Sequence, residues 1–113
     1  MNCLGVRNLA RACSRTGSWL IHISTDYVYS ENAEYRECPK CAYGFHKWAG
    51  EIMARAETYN LTVLRVGCLY GMNRSKSFIH KFLGNAVKSH FSPDVVDCQS
   101  SVPTSTLFVC EAI

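Results

Sequence analysis

Hydrophobic residues recur along the first third of the chain in two spacings, which predict a helix followed by a strand. Apolar side chains three or four residues apart predict a first helix, capped by Asn2 and ended by Gly17. The run Trp19–Ile23 is almost wholly apolar, which predicts a strand buried on both faces. The polar stretch Ser30–Ala42 contains a proline and predicts a loop.

The pattern then repeats, because a second helix and a second strand follow. The helix is predicted from about Tyr43 to Tyr59, and the strand covers Leu61–Val66. Three residues spaced four apart are predicted to form the inward face of this helix: Trp48, Ile52 and Ala56.

The remainder of the chain predicts two more helices and a short extended piece. Ser75 or Ser77 is expected to cap a third helix, Val95-Val96 to be extended, and Pro103-Thr104-Ser105 to start a last helix. The third helix carries one apolar face: Phe78, Ile79, Phe82, Leu83 and Val87. This alternation predicts an α/β fold, part of a doubly wound, Rossmann-like parallel sheet that is incomplete at both ends. Residues 1–113 are expected to form a single partial domain.

Composition and charge exclude several classes of protein. Of the 113 residues, 48% are hydrophobic and 19% are charged, which is typical of a globular chain. The net charge is +3, and the basic residues are scattered among the acidic ones rather than clustered, so no nucleic-acid partner is expected. No apolar run is long enough for a membrane helix, so no membrane association is expected. The start of the chain lacks a signal-peptide layout, and seven irregularly spaced cysteines then predict free thiols and a cytoplasmic location.

Two segments carry candidate chemistry. Tyr43 and Lys47 are four residues apart and share a helix face, and a fixed ammonium near a phenol favours proton exchange near neutral pH. A surface tyrosine beside a solvated lysine would give the same pattern. Ser24, Thr25 and Asp26 follow a predicted strand, where doubly wound sheets bind ligands. The same residue types also favour turns and helix caps, so both interpretations stay open.

Together these segments resemble the extended short-chain dehydrogenase/reductase superfamily, whose catalytic layout is a serine or threonine after a strand and then Tyr-x-x-x-Lys. Here 17 residues separate Thr25 from Tyr43. Tyr27 stands where the superfamily's sugar-nucleotide dehydratases carry a glutamate, which argues against dehydration. Short matches in the same order resemble the dTDP-4-dehydrorhamnose reductase family: Ile23-Ser24-Thr25-Asp26-Tyr27-Val28, Tyr43-Gly44 with Lys47, Gly50-Glu51, Leu64-Arg65, Leu69-Tyr70-Gly71, Val96-Asp97 with Gln99, and Pro103-Thr104.

The resemblance implies an NADPH- or NADH-dependent reductase of a nucleotide-linked 4-keto sugar, converting dTDP-4-dehydrorhamnose to dTDP-rhamnose. Tyr43 would protonate the C4 keto oxygen, and Thr25 would hydrogen-bond the same oxygen. Lys47 would hold the nicotinamide ribose and tune the tyrosine. Asp26 and Tyr27 would line the sugar pocket. In the full-length family the resemblance also implies a homodimer.

The sequence departs from the family pattern in four places. Cys68 stands at the substrate-binding position where the family has a tryptophan. Ser30-Glu31 replaces an Asp-Gly pair, and Cys98 replaces an aspartate before Gln99. No glycine-rich dinucleotide loop of the form G-x-G-x-x-G or G-x-x-G-x-x-G occurs. The chain is therefore expected to be the middle portion of a reductase and to be inactive by itself.

Two alternatives come from other classes of protein. The same stretch resembles the regulatory beta subunit of methionine adenosyltransferase, which acts through a partner subunit. Thr25 and Asp97-Cys98-Gln99 fit the reductase better. A zinc module would need four ligands, and Cys38-Pro39-Lys40-Cys41 has no second Cys-x-x-Cys, so no metal site is expected.

Overall fold

The computed structural model describes residues 1–30, 37–71, 77–88 and 100–113. In these ranges a turn of 3-10 helix covers Asp26–Val28. The other elements that the described residues form are four helices and four strands: α1 (Leu4–Thr16), β1 (Leu20–Thr25), α2 (Ala42–Glu57), β2 (Leu61–Val66), β3 (Leu69–Tyr70), α3 (Phe78–Ala86), β4 (Thr104–Ser105) and α4 (Thr106–Glu111). These elements form two compact units, Met1–Val66 and Gly67–Ile113. Within the described ranges, no helix is both long and apolar enough to cross a membrane.

The first unit is a parallel strand pair covered on one face by two helices. β1 and β2 run in register from Leu20 beside Leu61 to Thr25 beside Val66, and α2 makes the crossover between them. The core is small and lies where α1, α2 and the start of the sheet meet: Val6, Ala10 and Ala54, with Leu20 and Leu61 packed against them. This arrangement confirms the predicted α/β class with parallel strands.

Of the two predicted ends of α1, the C-terminal one is confirmed and the N-terminal one is wrong. Gly17 ends the helix in the left-handed conformation, with φ 67°, and its amide bonds to the carbonyl of Cys13. Asn2 is not the cap, because Cys3 occupies that position and no side chain there bonds to the helix.

The predicted burial of β1 on both faces is also wrong. The strand begins at Leu20, after Trp19, whose indole is 63% exposed and donates to Thr62 Oγ1 at 2.8 Å. Ile21 is 36% exposed because both helices cover the opposite face of the strand pair.

The predicted inward face of α2 is wrong. Ile52 is 47% exposed, Ala56 is exposed and Trp48 is only half-buried. The buried positions of the helix are mostly small residues: Gly44, Gly50, Glu51 and Ala54. The helix approaches α1 so closely that a Cβ at Gly50 would meet the carbonyl oxygen of Asn2. Small side chains therefore mark the interior here, whereas Phe45 and Ile52 face outward.

The second unit confirms one helix cap and corrects the start of the last helix. Ser77 caps α3, accepting from the amide of His80 at 3.3 Å. Thr104 and Ser105 do not start a helix, because they pair in parallel with Leu69 and Tyr70. α4 therefore begins at Thr106. The alternative cap Ser75 and the predicted extended pair Val95-Val96 lie outside the described residues.

Candidate active site

The carboxyl end of β1 presents a buried threonine at the entrance of a tight turn. Thr25 is 7% exposed, and its hydroxyl accepts from the amide of Tyr27 at 3.3 Å. The same hydroxyl donates to Asp26 Oδ1 at 3.2 Å. Thr25 thereby caps the 3-10 helix, so the cap interpretation from the sequence is confirmed. The cap leaves the hydroxyl at the strand end where parallel sheets bind ligands.

The first turn of α2 lies directly against this 3-10 helix. Gly44 allows the approach, since a Cβ there would meet the backbone carbonyl of Tyr27 and lie 3.3 Å from Pro39 Cβ. The rings of Tyr27 and Tyr43 meet edge to face, with centroids 6.1 Å apart and planes at 85°. Cys41 caps the helix, and its Sγ accepts from the Gly44 amide at 3.3 Å. Tyr43 is thus fixed beside the turn and stays 49% exposed.

Lys47 lies one helical turn further along α2. Its Nζ donates to the carbonyl oxygen of Ile23, two residues before Thr25, at 2.5 Å. Burial lowers the pKa of the Lys47 ammonium, and the negative charge of Glu51 partly opposes that shift. Three candidate catalytic residues, Thr25, Tyr43 and Lys47, therefore gather around one strand end, with Asp26 and Tyr27 beside them.

A buried carboxylate supports this arrangement. Glu51 is 0% exposed and accepts from Ser24 Oγ at 2.5 Å and from Arg65 Nη2 at 2.7 Å. Arg65 Nε lies 3.1 Å from the same carboxylate, and Arg55 Nη2 lies 3.3 Å from it. Burial alone would raise the pKa of Glu51, but hydrogen bonds from Arg65 and Ser24 and the two arginine charges hold the pKa below its ordinary value.

The Arg65 guanidinium reaches beyond Glu51 to a second pair of residues. It donates to the Tyr29 hydroxyl at 2.7 Å, lies 4.8 Å from the centroid of that ring, and forms an ion pair with Glu37 at 2.9 Å. The hydrogen bond that Arg65 donates to Glu51 is the main reason that the pKa of Arg65 is raised. Sequence reasoning used Glu51 and Arg65 only as matches to a family pattern. The available signal was a charged residue inside an otherwise apolar strand.

Other sequence-predicted residues belong to the second unit or lie outside the described residues. Cys68 is half-buried in the second unit, where its carbonyl accepts from the amide of Thr104 at 3.0 Å, and its substrate role stays a prediction. Glu31 and the segment 97–99 lie outside the described residues. Among the residues with described positions, no cluster of three metal-ligating side chains occurs, and Cys38 and Cys41 are free thiols.

Replacing Gly44 by alanine is expected to lower the free energy of unfolding by roughly 1–3 kcal/mol, because the new Cβ pushes α2 away from the Tyr27 carbonyl. The matched control is Gly84→Ala in α3, where no described residue outside the helix itself has an atom within 4 Å of the new Cβ. That control should stabilise the chain by about 0.5–1 kcal/mol through helix propensity. Urea unfolding followed by helical circular dichroism measures both. Equal effects at the two glycines would contradict the close approach.

Comparisons with known proteins agree along the whole chain. The profile of the family described as the RmlD substrate binding domain matches residues 1–113. A dTDP-4-dehydrorhamnose reductase of Mycobacterium tuberculosis is 34% identical over 123 residues, which cover 100% of this chain and 40% of the relative. The beta subunit of methionine adenosyltransferase 2 of Xenopus laevis is 31% identical over 111 residues, covering 92% of this chain and 33% of that subunit.

Solved structures give the same result. The crystal structure of a dTDP-4-dehydrorhamnose reductase from Clostridium acetobutylicum has a TM-score of 0.85 at 33% identity, covering 99% of this chain and 41% of that one. The reductase of Bacillus anthracis in complex with NADP has a TM-score of 0.68 at 29% identity, covering 74% of this chain and 32% of that one. The chain spans about 40% of the length of the reductase it matches in Mycobacterium tuberculosis. The likeness confirms the predicted Rossmann-like fold, and the chain belongs to the RmlD substrate binding domain family, whose matched relatives include dTDP-4-dehydrorhamnose reductases.

Proposed function

We propose that this chain carries the proton-donating part of an NAD(P)H-dependent reductase that acts on a nucleotide-linked 4-keto sugar, with dTDP-4-dehydrorhamnose as the substrate and dTDP-rhamnose as the product. The observation that carries the proposal is the gathering of Thr25, Tyr43 and Lys47 at the carboxyl end of β1. The reductases among its relatives support the same activity.

Each of these residues has a role that its position supports. Tyr43, with its ring half-exposed beside the turn, donates a proton to the C4 keto oxygen. With the substrate in place, the Thr25 hydroxyl turns its single proton from Asp26 Oδ1 to that oxygen and so orients the carbonyl. Asp26 and Tyr27 line the sugar side of the site. A further substrate contact at Cys68 rests on the family resemblance alone.

The residues of this site fit the nicotinamide end of a dinucleotide. Lys47 holds a half-buried ammonium against the strand end, where it can donate to the ribose hydroxyls, and Tyr43 lies one turn before it on the same helix face. When bound, NADPH or NADH supplies the hydride. The relative from Bacillus anthracis was solved with NADP. The sequence contains no glycine-rich phosphate loop, so the contacts of this chain are to the ribose rather than the pyrophosphate.

The setting of the proposed enzyme is inferred from the family resemblance and from the cysteines. Residues 1–113 would be one partial domain of the reductase, which would act as a homodimer. The six cysteines in the described ranges are free thiols, which supports a reducing, cytoplasmic compartment.

A second candidate function is a regulatory one. The methionine adenosyltransferase subunit of Xenopus laevis is similar over nearly the whole chain, so the same fold can serve a partner catalytic subunit. In that case Tyr43 and Lys47 would have no proton to transfer. Capture of a methionine adenosyltransferase catalytic subunit by the tagged chain, combined with absence of reductase activity, would favour this function.

The test is a reductase chimera in which this chain replaces the matching region of the Mycobacterium tuberculosis relative, so that a complete reductase surrounds the site. With dTDP-4-dehydrorhamnose present, the chimera is expected to consume NADPH and to form dTDP-rhamnose, followed by nicotinamide absorbance and product chromatography. The isolated chain is the control and is expected to be inactive. A folded chimera that binds NADPH without forming product would contradict the proposal.

A further inference from the structure

Arg65 connects parts of the first unit that are far apart in sequence. It stands near the end of β2, directly beside Ser24 of β1 in the parallel register. Its side chain is 14% exposed, so the guanidinium lies mostly away from solvent. From there its nitrogens bond on one side to Glu51 and on the other side to Tyr29 and Glu37.

The first set of contacts fixes α2 against the strand end. Glu51 lies one helical turn after Lys47, and another of its partners, Ser24, immediately precedes Thr25. Two nitrogens of Arg65 bond to the same carboxylate, which fixes both its distance and its orientation. The position of Lys47 relative to Thr25 therefore depends on where Arg65 holds Glu51.

The second set of contacts reaches the two segments that carry Tyr27 and Tyr43. Tyr29 directly follows the 3-10 helix, and its backbone forms an antiparallel bridge with Glu37. The next residue, Cys38, donates its amide to the carbonyl of Val28 at 2.9 Å. Arg65 bonds to the side chains of both bridge residues. Arg65 thereby connects the segment that follows the 3-10 helix to the segment that leads into the N-terminus of α2.

We propose that Arg65 is a positioning residue of the reductase site, which sets Tyr43 and Lys47 relative to Thr25 by bonding Glu51 on one side and Tyr29 and Glu37 on the other. The inference rests on the proposed function. Only arginine supplies this planar set of five donors, because a lysine ammonium is a single point that cannot bond all three partners in these directions. Small misplacements of reacting groups lower the reaction rate strongly, so a residue that holds those groups in place has a large effect on turnover.

The deciding variant is Glu37→Ala in the reductase chimera, because it removes one of these contacts at an exposed residue. Surface ion pairs contribute little to stability, so the unfolding midpoint should not move. We expect kcat to fall by about 10-fold with KM for the keto sugar unchanged. Arg65→Lys keeps the charge and should lower kcat by about 100-fold. The matched control, Arg11→Lys, alters a surface ion pair with Glu57 and should leave activity unchanged.

A second measurement keeps the test independent of turnover. In the chimera labelled with carbon-13 at tyrosine rings, Glu37→Ala should shift the Tyr43 ring signals without substrate, whereas Arg11→Lys should leave them in place. If Glu37→Ala kept both the original kcat and the original Tyr43 signals, Arg65 would be a structural residue only. If the unsubstituted chimera made no dTDP-rhamnose, the proposed function would fail, and the Tyr43 signals alone would decide whether Arg65 positions the tyrosine.

Discussion

Replacing Tyr43 by phenylalanine is expected to lower the turnover of the reductase chimera by about 10²–10⁴-fold, the usual contribution of a general acid. The substitution removes only the phenolic oxygen. The ring, which meets Tyr27 edge to face at 6.1 Å, stays in place, so packing and NADPH affinity should change little. Steady-state kinetics with the keto sugar and a fluorescence titration with NADPH measure the two effects separately.

Two neighbours on α2 provide the controls. Lys47→Ala removes the proposed ribose contact and the charge beside the tyrosine, so NADPH affinity and turnover should fall together. His46 is exposed and lies between these residues in sequence, and His46→Ala should be nearly silent. Near-full activity of Tyr43→Phe together with loss of activity in His46→Ala would overturn the assignment of the Tyr-x-x-x-Lys motif.

Replacing Glu51 by alanine is expected to lower the free energy of unfolding by roughly 3–5 kcal/mol, because the largely buried Arg65 guanidinium loses its buried carboxylate and keeps only the exposed Glu37 as an ion-pair partner. Glu57→Ala is the matched control on the same helix. Its ion pair with Arg11 lies at the surface, so its loss should cost at most about 1 kcal/mol. Urea unfolding of the chain measures both. Similar losses at the two positions would contradict a special role for the buried carboxylate.

The same carboxylate predicts how stability depends on acidity. Because the pKa of Glu51 is lower in the folded chain than in the unfolded one, its contribution is present above pH 4.5 and is lost as pH falls further. Burial and the Lys47 charge also lower the pKa of His22, so protonation of the unfolded chain adds a loss below about pH 6.5. The exposed Glu37 carboxyl, paired with Arg65, titrates in the same direction as Glu51.

Glu51→Ala should therefore have a shallower loss of stability below pH 4.5 and keep the loss due to His22. The groups that face Glu51, namely Ser24, Arg55, Arg65 and Lys47, remain in that variant. Unfolding curves collected across this pH range check the prediction. An unchanged slope in the acid range would show that other carboxyl groups dominate it.

The sequence indicated the candidate catalytic residues but not the residues that support them. Tyr43 and Lys47 could be identified from the sequence because a spacing of four on a helix places two side chains on one face, whatever the surroundings. Thr25 could be identified because ligands bind at the ends of strands in parallel sheets, where polar residues are found. Glu51 and Arg65 are joined only when α2 crosses from β1 to β2, so no local pattern shows that they meet.

The errors in the fold have a physical cause as well. The hydrophobic spacing predicted that Trp48 and Ile52 lie on the buried face of α2. The buried face instead carries mostly glycine and alanine, because small side chains allow the helix to pack closely against its neighbours. Local propensity predicted that a helix starts at Pro103, but the two residues that follow it, Thr104 and Ser105, pair with β3. In both cases a tertiary contact overrode a local preference.

Helix α2 packs closely against the backbone of neighbouring segments at two places: Gly44 lies against the Tyr27 carbonyl, and Gly50 lies against the Asn2 carbonyl. The outward side chains of the helix, such as Phe45 and Ile52, take no part in these backbone contacts. Mutational drift can therefore change the outward surface of the helix while the Tyr43 phenol stays where it is. The two glycines, in contrast, leave almost no neutral substitution open, so the tolerance of this helix to change differs sharply between its two sides.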